Sequence, residues 1–353
     1  MIHPLLQTYG PLDGWMILLI MASVSIGFFT YQVQKATRLV LIGSPDSRFD
    51  SWGPRIREFI VGWLGQKKVL RDRVAGTMHV LMFWGFLMLA SDMFDLATAN
   101  YFSGELLPEL IVGPWNGMVE LGYTMALIGC VAALVRRVAF TPEKLKGKSQ
   151  LEGNAILLLI FTITTTSFMI ESKEDPSPFW EPIGHQFSEM GLSDGTVVVS
   201  YWLHMLAISV FLFLIPLSKH MHLVMAVPNV FFHDTGPPAK MRPLALGDDG
   251  KAVPLEDLDI DSFGVSSYSQ YTWRQLIDGW SCTSCARCQD VCPAYASGKG
   301  LNPMQVIHDV RDYANEHAPL LLSGETPEET MMQRITEEAV WACTTCNACV
   351  DVC

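Results

Sequence analysis

Five stretches of this chain are about twenty residues long and nearly free of charge, and a bilayer leaves such stretches little choice of structure. Crossing the hydrocarbon takes ~20 apolar residues. With no water at hand, each backbone N–H and C=O must bond inside the segment, so each stretch becomes a helix. They are residues 15–33, 75–97, 115–135, 154–170 and 196–217. The fourth is the shortest and carries the polar run "TITTTSF". The first does not read as a signal peptide, because no basic residues precede it and no small-residue cleavage site follows. Half of all residues are hydrophobic and only 17% are charged, as expected of a membrane protein. Lys and Arg crowd the loops between spans one and two and between spans three and four; residues 98–114 and 171–195 hold one Lys between them. This bias predicts the N-terminus outside and the C-terminus in the cytoplasm. A net charge of −12 excludes nucleic acid as a partner class. Within the first loop, "RIREFIVGWLGQKK" predicts an amphipathic helix lying along the interface.

The polar remainder holds a second constraint. Residues 282–293 read "CTSCARCQDVCP" and residues 343–353 read "CTTCNACVDVC". Both have the form C-x2-C-x2-C-x3-C, the run that ligates cubane iron–sulfur clusters, in which the fourth cysteine serves the other cluster. This predicts one [4Fe–4S] centre on Cys282, Cys285, Cys288 and Cys353, and another on Cys343, Cys346, Cys349 and Cys292. Structural zinc would want C-x2-C pairs split by a longer loop, and disulfides do not suit a cytoplasmic module. Cys130 is left over, in an apolar stretch, and reads as a small buried residue. Between the two runs, "NPMQVIHDVRDYANEH" and "TPEETMMQRITEEAVWAC" read as helices, the second with a capping box of Thr326 and Glu329.

Histidine inside a bilayer is costly and marks function. Span two carries His79; span five carries His204 and is followed by His220 and His222. Two facing transmembrane histidines make a bis-imidazole haem b site. On one continuous helix His204 and His222, eighteen residues apart, share a face and lie ~27 Å apart, whereas His220 points the other way. His79 matches the depth of His222, so one haem is predicted between His79 and His222. His204 lies toward the outer leaflet. It either takes Met93 as the second ligand of another haem or hydrogen-bonds a quinone. Glu120, inside span three, either reaches to the outer interface or relays a proton for a quinol.

At this point the residues carry a resemblance. The pattern H-x17-H, with Pro216 between and "LSKHMHLVMAVP" at its end, resembles the last transmembrane helix of the cytochrome b (gamma) subunit of respiratory nitrate reductase. That family is five-spanning with its N-terminus outside, and holds two haems b between its second and fifth helices. The resemblance implies that His79 and His222 ligate the haem nearer the cytoplasmic partner. It matches His204 to the outer haem, whose ligand on helix two is replaced here by Leu89. The stretch "SCTSCARCQDVCPAYASGKGLNPMQVIHDVRD" is similar to the ferredoxin module of heterodisulfide-reductase-like iron–sulfur oxidoreductases. The fused order resembles electron-transfer flavoprotein:menaquinone oxidoreductases. In that family the second run continues into Pro and a cysteine-rich catalytic region, so the chain reads as a fragment of a longer protein.

The expected architecture is therefore mainly α: a five-helix transmembrane haem b bundle over residues 1–227, a connector over 228–270, and a small α-helical ferredoxin-like 2[4Fe–4S] domain over 271–353. The expected function is electron transfer between a quinone, menaquinone by resemblance, and a cytoplasmic protein such as an electron-transfer flavoprotein, in a bacterial or archaeal cytoplasmic membrane. The cofactors would be two [4Fe–4S] clusters and one or two haems b. The competing expectations are a non-catalytic relay and anchor subunit, or a membrane redox sensor.

Overall fold

The computed structural model describes residues 3–97, 109–140, 148–236, 253–257 and 265–353. The chain divides into two compact units, Met1–Thr30 with Val69–Ser218, and Tyr31–Lys68 with Lys219–Cys353.

Among the described residues five helices are long and apolar enough to cross a membrane. They are α1 (Gly14–Leu41), α3 (Arg73–Ala97), α4 (Glu109–Ala139), α5 (Lys148–Glu171) and α7 (Asp194–Leu217), with a short α2 (Trp52–Glu58) and α6 (Pro182–Glu189) between them. Each contains its expected span and runs a turn or more beyond it, except that α3 and α7 end where the sequence says. In the first unit a two-residue hairpin, β1 (Thr8–Tyr9) with β2 (Leu12–Asp13), precedes α1, and α3, α4, α5 and α7 pack in that order. The α3–α4 seam is close because it is built of glycine. A Cβ on Gly85 would stand 2.8 Å from the backbone N of Ala126, and one on Gly122 would stand 2.8 Å from Met88 Cβ. Small residues let helix backbones approach where lipid supplies no hydrophobic drive. Cys130, Ile156, Ile160, Ile163, Ala207, Phe211 and Ile215 form the core between α4, α5 and α7. Cys130 donates to the carbonyl of Leu157 at 2.9 Å. The polar run in α5 is tolerated because its hydroxyls bond backward along their own helix. Thr164 donates to Ile160 O at 2.9 Å, Thr166 to Thr162 O at 2.6 Å and Ser167 to Ile163 O at 3.0 Å.

The second unit gathers sequence that lies far apart. It contains the last turns of α1, the loop bearing α2, then α8 (His222–Phe231), α9 (Trp273–Ser281), α10 (Arg287–Asp290), α11 (Pro293–Ala296), α12 (Pro303–Glu316), α13 (Ala318–Ser323), α14 (Met331–Ile335), α15 (Glu337–Trp341) and α16 (Ala348–Val352). One core joins Ala36, Leu39 and Val40 of α1, Met221 and Met225, Leu276, Ile277 and Trp280 of α9, and Val310, Tyr313 and Ala314 of α12. Ser44 pairs with the strand-like stretch before α9: Ser44 N donates to Tyr271 O at 2.8 Å and Trp273 N to Ser44 O at 3.2 Å. Tyr268, from the end of the expected connector, is buried and donates to Leu39 O at 3.2 Å.

Two expectations change here. The "RIREFIVGWLGQKK" stretch is helical, as α2 followed by a wider turn over Phe59–Leu64. Its Arg55, however, is buried rather than facing lipid headgroups. It donates to Asp50 O at 2.7 Å and His233 O at 2.7 Å and pairs with Asp50 at 2.7 Å, so it caps the end of α8. The helix expected before the second cysteine run splits into α14 and α15 at Thr336, whose φ is 72°. The capping box belongs to Thr330 and Gln333, because Glu329 is drawn off to Arg334 at 2.7 Å and His317 at 2.9 Å.

Candidate functional site

The two cysteine runs adopt the same local fold. Cys282 caps the C-terminal end of α9. The following loop puts Ser284 at φ 55° and Ala286 at φ 63°, and α10 then starts. In the second run Thr345 has φ 52° and Asn347 φ 57° before α16. The left-handed positions are equivalent in the two runs, and neither run uses glycine there. Each such residue costs about 1–2 kcal/mol, so the loops hold a shape the backbone alone does not favour. α10 packs on α16, which carries the fourth cysteine of each run toward the other run.

Electrostatic neighbours relate the two runs. Burial pushes the Cys353 thiol up to about 11, and Asp278, Cys282, Cys285 and Cys288 press the same way. Burial also pushes Cys288 up to about 11, with Cys282 and Cys285 adding to it. Burial raises Cys349, whose charged neighbours are Cys343 and Cys292. Cys353, sixty-five residues after Cys288 in the chain, thus stands with the first run, and Cys292 with the second. Among the described residues no three His, Cys, Asp or Glu side chains stand as close as the ligands of one ion. The ligands of a cubane each bind a different iron and stand farther apart. Two all-thiol quartets of this kind fit [4Fe–4S] centres.

Several residues around the first quartet carry no sequence signal. Arg287 Nε donates to Cys285 Sγ at 3.3 Å. Burial acts upward most strongly on that thiol, but the Arg287 side chain and backbone N–H with Thr283 together hold Cys285 below its ordinary value. His308 Nε2 lies 3.5 Å from Cys282 Sγ and 3.2 Å from Ser284 Oγ. Lys68, from the loop after α1, donates to the carbonyl of Cys353, and its own carbonyl accepts from Arg287 Nη1 at 2.8 Å.

The histidines fall as follows. His79 is half-buried on α3 in the first unit, and His222 opens α8 in the second. The single helix expected to carry both His204 and His222 is interrupted. α7 stops at Leu217, Ser218 is extended, and one tight turn over Lys219–Met221 precedes α8. Pro216 cannot donate to the carbonyl of Leu212, and the helix ends within a turn, so eighteen residues no longer amount to five turns. What the structure supplies instead is a tautomer. His222 Nδ1 lies 2.8 Å from Lys219 O, and His204 Nδ1 lies 3.1 Å from Ile163 O. A carbonyl only accepts, so Nδ1 carries the proton in both rings and the lone pair is on Nε2. Thr166 and Ser167 flank His204 Nδ1 at 3.0 and 3.5 Å. That collar fits His204 for an iron or a quinone carbonyl alike. The Met93 side chain lies outside the described residues; Leu89 is core, beside Val119, Tyr123 and Phe168.

Glu120 meets a second helix. It is buried, and its two carboxylate oxygens accept from Ile183 N and Gly184 N, both at 2.9 Å. It caps the first turn of α6, where backbone N–H groups have no helical partner.

Within the second unit, His222 and the first quartet share one end of a helix pair. Ser281 Oγ donates to Met225 O at 3.0 Å, Asn229 Nδ2 to Asp278 Oδ1 at 2.8 Å and Arg274 Nε to Phe232 O at 3.1 Å. α8 and α9 therefore run antiparallel. Cys282 follows Ser281 directly, and His222 stands ~4.5 Å before Met225 along the axis.

Residues 274–353 match the 4Fe-4S dicluster domain. The chain is 25% identical to the probable iron-sulfur-binding oxidoreductase FadF of Bacillus subtilis, over 96% of this chain and 53% of the relative. It is 28% identical to the EtfAB:quinone oxidoreductase of Syntrophomonas wolfei, over 96% of this chain and 52% of the relative. A probable membrane-anchored ferredoxin of Chromohalobacter salexigens is 34% identical over 30% of this chain and 19% of its own length. The chain thus spans about half the length of these two long relatives. No solved structure matches.

Proposed function

We propose that this chain carries electrons between a membrane quinone and a cytoplasmic redox protein, through haem b and two [4Fe–4S] clusters. The observation that carries the reading is that Cys353 has the first run's thiols as electrostatic neighbours and Cys349 has Cys292, inside a segment matching the 4Fe-4S dicluster domain, which supports an exchange of fourth cysteines. The quartets are Cys282, Cys285, Cys288 and Cys353, and Cys343, Cys346, Cys349 and Cys292. The clusters, once bound, pass single electrons. The protein's part is to hold the thiolates, bias the first quartet with Arg287 and keep the quartets side by side. His79 and His222 are the proposed haem ligands, and the Nδ1-bound tautomer of His222 suits that role. The antiparallel α8–α9 pair supports a direct path between that haem and the first cluster. A quinone takes two electrons and two protons to become a quinol, so the donor must deliver electrons twice per turnover. A two-electron flavoprotein fits, and the name of the Syntrophomonas wolfei relative, EtfAB:quinone oxidoreductase, agrees with both partners. The Lys and Arg bias argues for the cysteine module in the cytoplasm.

The test is composition and then flow. Anaerobically purified protein should hold ~8 iron and ~8 sulfide, and Cys285→Ser should lose one centre and spare the other. In His222→Ala, a menaquinol analogue should reduce the clusters much more slowly. Zinc in place of iron would overturn the cluster assignment, and an unchanged rate would take the haem off the path.

A further inference from the structure

A cavity of about 160 Å³ lies in the first unit, at the end of the α5–α7 pair that faces the hairpin before α1, and nothing described so far uses it. Its apolar walls are Pro4, Ile170 and Val197; its polar wall includes His3, Lys173 and Tyr201. An engineered apolar cavity of ~150 Å³ binds benzene, so this one has room for a ring. Tyr201 is buried, at 3% exposure, yet its hydroxyl has no hydrogen-bond partner among the described residues. A buried hydroxyl without a partner has lost its water and gained nothing, which points to an acceptor supplied from outside the chain. The His3 ring meets Tyr201 edge-on at 5.4 Å.

The wall chemistry selects the class of ligand. Lys173 is paired with Asp194 at 3.2 Å, and Glu174 adds a carboxylate to the lining. One cation against two carboxylates leaves the wall net negative, which disfavours a phosphate or carboxylate ligand. A neutral flat ring with a carbonyl acceptor suits both the apolar walls and the lone hydroxyl. The position also fits. Tyr201 and His204 are one helical turn apart on α7, and Ile170 is one turn beyond Thr166, which flanks His204. We propose that this cavity binds the ring of a quinone, with the Tyr201 hydroxyl donating to a quinone carbonyl, one turn from His204. This rests on the quinone-linked reading above and gives it a place.

The experiment uses the full chain in phosphatidylcholine nanodiscs with 2-methyl-1,4-naphthoquinone as probe. Binding is read by quenching of tryptophan emission, since Trp202 packs edge-on against Tyr201 at 5.4 Å. Cluster reduction by the corresponding quinol is measured in parallel. Tyr201→Phe keeps the ring and removes only the hydroxyl, and should weaken binding about five- to tenfold, the loss of one hydrogen bond. Val197→Trp fills the cavity and should abolish binding while iron content stays at the wild-type value. If wild type binds the probe and both variants bind it equally well, this cavity is not the site and the quinone-linked function stands. If wild type neither binds the probe nor accepts electrons from its quinol with both clusters present, the function itself fails and this site with it.

Discussion

Arg287 offers the sharpest quantitative test. Its Nε donates to Cys285 Sγ at 3.3 Å, and that bond, with the Arg287 backbone N–H and charge and Thr283, holds the thiol below its ordinary value against the larger upward effect of burial. A reduced cluster carries one more negative charge than an oxidised one, so a nearby cation favours reduction and raises the potential. Arg287→Gln should therefore lower the potential of the cluster on Cys282, Cys285, Cys288 and Cys353. Two unit charges about 6 Å apart set the scale. At an effective dielectric of about 40–80, suited to a half-exposed group, the Coulomb energy is about 0.7–1.4 kcal/mol. For one electron that is about 30–60 mV. Arg287→Lys keeps the charge without the fixed Nε geometry and should shift the potential less. A potentiometric titration followed by electron paramagnetic resonance, with Cys285→Ser identifying which signal belongs to which cluster, reads both centres at once. The cluster on Cys343, Cys346, Cys349 and Cys292 should not move. A rise in potential, or an equal shift in both centres, would refute the reasoning.

Two further outcomes follow from side chains whose roles the structure changed. In Glu120→Gln the amide offers one acceptor to two backbone donors, so either Ile183 N or Gly184 N is left unpaired at about 1–3 kcal/mol in thermal or chemical unfolding. Quinol oxidation per folded molecule should persist, and its collapse in a folded variant would restore Glu120 as a proton carrier. Arg334 bonds hold Glu316 and Glu329 below the ordinary carboxylate value of 4.5, with His317 adding to the effect on Glu329. A depressed carboxylate contributes stability above its ordinary value and loses it as pH falls through the folded one. The melting temperature should thus drop as pH is lowered from about 5 through 4, and Arg334→Ala should flatten that slope; an unaltered slope would place the pH sensitivity elsewhere.

The cysteine loops and the spans were legible because their causes are local. A run of twenty apolar residues has one way to satisfy its backbone in lipid, and Thr166 and Ser167 did not interrupt α5 because their hydroxyls bond carbonyls of the same helix. The spacing of Cys282, Cys285 and Cys288 likewise makes one loop from adjacent residues. Periodicity failed where it was carried past a local fault. Pro216 was visible in the sequence, but only the backbone after Leu217 showed that the helix stops before His220 and His222.

What remained for the tertiary structure were pairings between distant segments. Glu120 is a buried charge in the sequence and becomes a helix cap only because residues 183 and 184 arrive at its carboxylate. Lys68 reaches the carbonyl of Cys353 because the loop after α1 belongs to the same unit as the cysteine runs. His308 and Arg287 touch thiols through contacts that no spacing rule encodes, and Tyr201 matters only because a cavity opened beside it. Each segment's apolar length and ligand spacing are settled by its own residues; which segments meet depends on contacts far apart in the chain, whose loop-closure entropy must be met by the whole core at once.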